Sequence, residues 1–177
     1  MTDSLSFIPE DARFRQPFDA KPIKYNWYIS SDKVFSSKVD GMTDFAPISG
    51  IEFCVSRFSL FDGTASSDSA VAAQDVKVYM ESGPHCAMIQ SFLAKGEIVP
   101  SITVKKTVIM PEKIQPLEEK VFSGCVVQSF ALQGEAISFS FRYSSYSDTY
   151  TALDDTGAVK GTAAVKVDLV KWEITSE

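Results

Sequence analysis

The clearest pattern in the chain is at its C-terminal third, where Ile137, Phe139, Phe141 and Tyr143 alternate with Ser138, Ser140, Arg142 and Ser144. Successive side chains of a strand point to opposite faces, so this run predicts a strand with one buried and one wet, serine-rich face. The run before it differs. Between Val121 and Leu132, Phe122, Cys125, Val126, Val127 and Phe130 leave neither face polar. Such a strand is expected to be covered on both sides.

The same reading gives the remaining elements. Ile23, Tyr25, Trp27 and Ile29 alternate with Lys24, Asn26, Tyr28 and Ser30, which predicts a first strand. From Ser31 to Gly50 a Ser, Asp, Gly and Pro-rich connection follows, with a short strand at Lys33 to Val39. Ile51, Phe53 and Val55 share a face that resumes at Phe58 and Leu60, so a β-bulge is expected at Ser56 and Arg57 within one strand from Ile51 to Phe61. Asp62-Gly63 ends that strand with a turn signal. Val76, Val78 and Met80 mark the next strand. Then the period changes. Ser82-Gly83-Pro84 opens a helix and Lys95-Gly96 closes it, with His85, Met88, Ile89, Phe92 and Leu93 on one stripe.

Ser101 to Met110 reads as a strand whose inner face, Ile102, Val104 and Val108, is interrupted by Lys106. That ammonium must reach an edge or a polar lumen. A turn is expected over Met110 to Pro116, and a long connection from Tyr143 to Ala163. The last strand, Ala164 to Thr175, changes phase between Leu169 and Val170, which predicts a second bulge or a change of neighbour. The fold class is therefore mainly β: an antiparallel β-barrel or sandwich of about eight strands with one short α-helix packed alongside. Residues 1–22, with Pro9, Pro17 and Pro22 among scattered Phe residues, are expected to form an extended N-terminal arm, and 23–177 a single domain.

A chain of 177 residues buries enough surface to hold a core without disulfides or metal. Its net charge of -6 opposes nucleic acid and anionic membrane surfaces, and no basic run interrupts it. Cys54, Cys86 and Cys125 are odd in number and set in apolar runs, which favours reduced thiols acting as small hydrophobes. The N-terminal residues have neither the basic nor the apolar region of a Sec signal peptide, and no window is long and apolar enough to insert in a membrane.

Candidate chemistry is sparse. His85 is the single histidine, so no Ser-His-Asp, Cys-His or multi-histidine set can be assembled. Glu118-Glu119 and Asp154-Asp155 are adjacent acids, which point apart on a strand. The glycines stand alone and make no phosphate loop. No catalytic residue, cofactor or metal site is expected.

The order of elements resembles the haemolysin-coregulated protein (Hcp) family, the tail-tube subunit of the bacterial type VI secretion system, itself similar to phage tail-tube proteins. The likeness rests on the strand at Ile51 to Phe61, a loop of small residues and then DVKVYMES. A helix entered near Pro84 and left at Lys95-Gly96 follows, and then the ITVKK, VFSGCVVQSFAL and ISFSFRYSSY strands. The departures are about 20 residues before the first strand, TASSDSAVAA where the family has a glycine-rich segment, and a long link holding two prolines before Val121.

What the resemblance implies is a non-enzymatic, homo-oligomeric ring, a hexamer, that stacks into a tube and is driven out by a contracting sheath with spike and effector proteins. The chain would be made in the bacterial cytoplasm and exported without a Sec signal. Asp62, Gly63, Ser66, Ser67 and Asp68 are then expected in a ring-stacking loop, and Ser138, Ser140, Arg142 and Ser144 on the lumen face. The alternative is a monomeric lipocalin-like barrel holding an apolar ligand among Phe53, Phe58, Phe139 and Phe141.

Overall fold

The computed structural model describes residues 25–31, 34–35, 44–58, 70–109, 114–154, 156–171 and 173–176. The N-terminal arm, the expected stacking residues Asp62, Gly63, Ser66, Ser67 and Asp68, and the turn at 110–113 lie outside the described residues. The elements are β1 (Tyr25–Ser30), β2 (Phe45–Ile48), β3 (Gly50–Glu52), β4 (Val55–Phe58), β5 (Ala70–Ala73), β6 (Val76–Glu81), α1 (His85–Lys95), β7 (Ile98–Ile109), β8 (Ile114–Gln133), β9 (Ala136–Arg142), β10 (Ser145–Leu153), β11 (Val159–Asp168) and β12 (Glu173–Ser176). All strand pairs are antiparallel.

Everything is arranged on β8, a strand of 20 residues. One row of strands runs β12-β11-β10-β8-β7-β1-β2, and a branch leaves β8 through β9 and β6 to β3. The sheet does not close into a simple cylinder. It wraps the core because one segment changes neighbours: β2 pairs with β1, β3 pairs with β6, and between them the Ser49 amide donates to the Tyr79 carbonyl at 2.8 Å. The mainly β, barrel-like antiparallel fold with one helix read from the sequence is the fold observed.

The two arms of the sheet meet at a corner. β8 pairs with β10 as far as Ser123 and with β9 from Val126 onward. Between these stretches Gly124 takes a left-handed φ of 60°, a conformation that glycine adopts without a side-chain clash. A Cβ there would stand 2.5 Å from the Ser144 hydroxyl oxygen. Ser144 closes the corner by donating both its amide and its hydroxyl to the Ser123 carbonyl, each at 2.9 Å. This extra residue explains why Phe122, Cys125 and Val127 all reach the core although their spacing is uneven.

The helix matches its expected limits. Pro84 precedes it, Gly96 follows with φ 64°, and the Gly96 amide donates to the Phe92 carbonyl at 2.9 Å. Ile89 and Phe92 are buried, and α1 packs on β8. Met88, expected on that stripe, is exposed instead.

Rings fill the interior. Phe122 sits 5.4 Å from Phe141, 5.0 Å from Tyr143 and 5.5 Å from Phe53, mostly edge to face.

Several expected boundaries move. The strand expected from Ile51 breaks at Phe53-Cys54, before Ser56 and Arg57, because β3 pairs with β6 while β4 pairs with β5 in a separate ribbon. Of the short strand expected at Lys33 to Val39, only residues 34–35 are described, and their amides turn back on the Ser31 carbonyl; the rest lies outside the described residues. Ile114 to Pro116 belong to β8, not to a turn, and a register shift between Lys106 and Thr107 accommodates them. The expected long connection after Tyr143 is the β10–β11 hairpin. The phase change at Leu169-Val170 is a second hairpin, in which Asp168 Oδ1 accepts the Val170 and Lys171 amides at 2.9 Å. At the end of the Val121–Leu132 run, Leu132 is 59% exposed in the single chain, so any second covering there comes from outside the domain.

Candidate functional site

On the wet face of β9, Ser138 and Ser140 are half-buried and Arg142 is exposed. Register extends that face across three strands. Ser140 lies opposite Lys77 of β6 and Ser129 of β8, and Ser138 opposite Tyr79 and Ala131. The Ser129 and Ser140 hydroxyls are 2.6 Å apart, the Arg142 Nε donates to Asp75 Oδ1 at 3.1 Å, and the Tyr79 hydroxyl donates to Glu52 at 2.5 Å. The Lys77 ammonium lies 5.1 Å above the Tyr79 ring. The result is a hydroxyl-rich surface on which Arg142 is paired with Asp75.

Of the four expected lumen residues, the fold brings Ser138, Ser140 and Arg142 together. Ser144 stands apart at the corner, its hydroxyl bound to the Ser123 carbonyl. Sequence reasoning missed Lys77 and Tyr79, although their alternation with Val76, Val78 and Met80 carried the same signal.

His85 Nε2 is 3.0 Å from the Glu81 carbonyl, and its ring lies 5.8 Å from Phe35. Both contacts tie the start of the helix to the domain. Cys125 is buried, which pushes its thiol up to about 12, Cys86 is half-buried, and Cys54 is exposed rather than buried as expected. Cys54 is exposed because it falls at the break between β3 and β4. Glu118 and Glu119 do point apart: Glu119 meets Lys105 at 2.9 Å and Glu118 meets Lys120 at 2.6 Å. No group of metal-ligating side chains occurs among the described residues, and none of their helices is long and apolar enough to cross a membrane.

The Glu118–Lys120 contact belongs to a second polar group, on the core side of the sheet. Lys120 and Asp148 are direct register partners of β8 and β10, 6% and 4% exposed, with the ammonium in contact with Asp148 Oδ2. The Tyr150 hydroxyl donates to the same oxygen at 3.0 Å. The Phe53 and Tyr150 rings lie 5.1 and 5.3 Å from the ammonium. Burial is the largest single influence on Lys120 and favours the neutral amine, but hydrogen bonds and charge from Asp148 and Glu118 outweigh it and raise its pKa. Lys106, the register partner of Glu118, lies 5.5 Å from the Trp27 ring.

The sequence matches no protein-family model and no curated protein. Solved structures do match. The fold is shared with proteins of the type VI secretion apparatus: a type six secretion system protein superposes with a TM-score of 0.77 at 16% identity, over 86% of this chain and 100% of the other. More particularly it is the Hcp fold. Hcp1 from Salmonella typhimurium matches with a TM-score of 0.68 at 13% identity, over 86% of this chain and 100% of that one. The secreted protein Hcp3 from Pseudomonas aeruginosa gives 0.54 at 11% identity, over 78% and 97%.

Proposed function

We propose that this protein is a structural, non-enzymatic tube subunit of a bacterial type VI or related contractile secretion system. It acts by assembling with itself into hexameric rings that stack around a channel and carry effectors behind a spike and inside a sheath. It is made in the cytoplasm and exported by that machinery. The observation that carries the proposal is the Hcp fold, which spans 86% of the chain and all of its first structural neighbour.

Physical features of the chain agree with that reading. Among the described residues, β8 pairs on one side only beyond Val126, and β2 and β12 end their row, which offers sheet edges that a second copy could join. The face holding Ser138, Ser140 and Arg142 suits the wall of a water-filled channel. Residues 23–177 act as one unit, 1–22 as an arm, and the segment from Asp62 to Gln74 as the contact between rings. A lipocalin-like ligand site would need the space that Phe139 and Phe141 fill, since both are buried against neighbouring rings.

Native mass spectrometry with electron microscopy tests the proposal. Six-membered rings that stack are the expected result, and a protein that stays monomeric at all concentrations overturns it. Shortening the Asp62–Gln74 segment ahead of β5 is expected to leave rings and abolish tubes.

A further inference from the structure

On the core side of the β8–β10 pair, a primary amine is pressed against a carboxylate where neither reaches bulk water. Lys120 and Asp148 face each other in register, Glu118 lies 2.6 Å from the same ammonium, and aromatic rings cover the group. Two carboxylates share one ammonium, and Asp148 Oδ1 is buried with no hydrogen-bond partner. An interior that stops at the ion pair therefore keeps several desolvated charges and an orphaned oxygen, a costly arrangement. Condensation removes both charges of the Lys120–Asp148 pair.

We propose that Lys120 and Asp148 join through an isopeptide bond between Nζ and Cγ, formed by the folded chain itself with Glu118 as the proton carrier. Glu118 takes one proton from the ammonium and passes it to Asp148 Oδ1, so that a neutral amine faces a neutral acid, and the amine attacks Cγ. The Tyr150 hydroxyl, already donating to Oδ2, holds the oxygen that becomes the amide carbonyl. The C–N bond forms and the bond from Cγ to Oδ1 breaks. The departing oxygen already carries that proton, Nζ supplies the second through Glu118, and one water leaves. An ammonium and a carboxylate thus become an amide and a water, with no oxidant, reductant or activating group required.

Ordinary amine and acid do not condense in water. Here the strands hold the partners in contact, a placement that in intramolecular reactions is worth effective concentrations of about 10⁵–10⁸ M. The product closes a covalent loop around the whole turn of the sheet from Lys120 to Asp148, including the corner at Gly124 and Ser144.

Intact-mass spectrometry of the purified full-length protein tests this directly. The wild type is expected one water lighter than its sequence, and fragmentation is expected to place the loss in a branched peptide that joins Lys120 to Asp148. Lys120→Arg keeps the cation but cannot form the amide, and Glu118→Gln removes the proton carrier. Both are expected at full sequence mass, with circular dichroism confirming that they fold. A folded wild type at full sequence mass overturns the proposal, and so does a water loss that persists in Lys120→Arg.

Discussion

The two halves of β8 build opposite kinds of sheet. From Val126 onward the strand meets β9, where the inner positions are Phe139 and Phe141 and the outer ones Ser138 and Ser140. Before Gly124 it meets β10, and there the inner face carries Phe122 and Tyr146 and then turns ionic at Lys120 and Asp148. The first half is held by area removed from water, and the second also by the polar group of Lys120, Asp148, Glu118 and Tyr150. A polar residue pointing inward is tolerated where a cross-strand partner stands at the same level, and nowhere else along this strand.

Removing a partner in each half separates the two. Asp148→Ala leaves Lys120 buried beside Glu118 alone and is expected to cost about 3–5 kcal/mol in denaturant unfolding. Phe139→Ala, in the apolar half, is expected to cost a similar 3–5 kcal/mol, roughly. The sharper contrast lies in paired replacement. Exchanging Lys120 and Asp148 together for apolar residues of similar volume removes the buried charges and the covalent link at once, so it is expected to recover part of the loss and not all of it, whereas no second substitution rescues Phe139→Ala. A double replacement as stable as the wild type would show that no covalent link holds this half.

The joint between the halves comes next in size. Gly124→Ala forces an alanine into a left-handed backbone and against the Ser144 hydroxyl, at an expected cost of about 1–2 kcal/mol. Thermal unfolding of Gly124→Ala beside Ser144→Ala and the double variant checks the clash, since removing the hydroxyl relieves it but leaves the backbone strain. On the wet face, Arg142→Ala breaks only an exposed pair with Asp75 and is expected to change stability by less than about 0.5 kcal/mol.

Cys125 acts only at alkaline pH and gives a pH signature. Its thiol is held protonated by burial up to about 12 in the folded chain, against an ordinary 9.0. The unfolded state therefore loses this proton first, and stability falls as pH rises from about 9 to about 12. Cys125→Ala is expected to flatten that part of the profile. At pH 8, iodoacetamide is expected to label the exposed Cys54 at once and Cys125 only after unfolding, as peptide mapping would show.

The same contrast explains what the sequence made legible. β9 and α1 could be read because a single element carries the whole pattern: alternation in one, a stripe between Pro84 and Gly96 in the other. β10 could not, because Tyr146 and Asp148 among Ser and Thr look like a polar connection until Lys120, 28 residues earlier, is placed opposite. The break at Phe53-Cys54 was hidden for a related reason: β3 and β4 take different partners, and partner choice leaves no periodic trace. The wet face was legible on β9, but its extension through Lys77, Tyr79 and Ser129 required the register.

The undivided backbone of β8 also has a mechanical meaning. Fully extended, its 20 residues would span at most about 65 Å at the usual rise of a strand, and the corner at Gly124 shortens that. A pull along it loads the bonds to β7, β9 and β10 sideways and together, like rivets along a lap joint, rather than peeling them one after another. Covalent bonds of the main chain carry the tension past the corner. A shell built on such a rod yields last in the direction in which the rod lies.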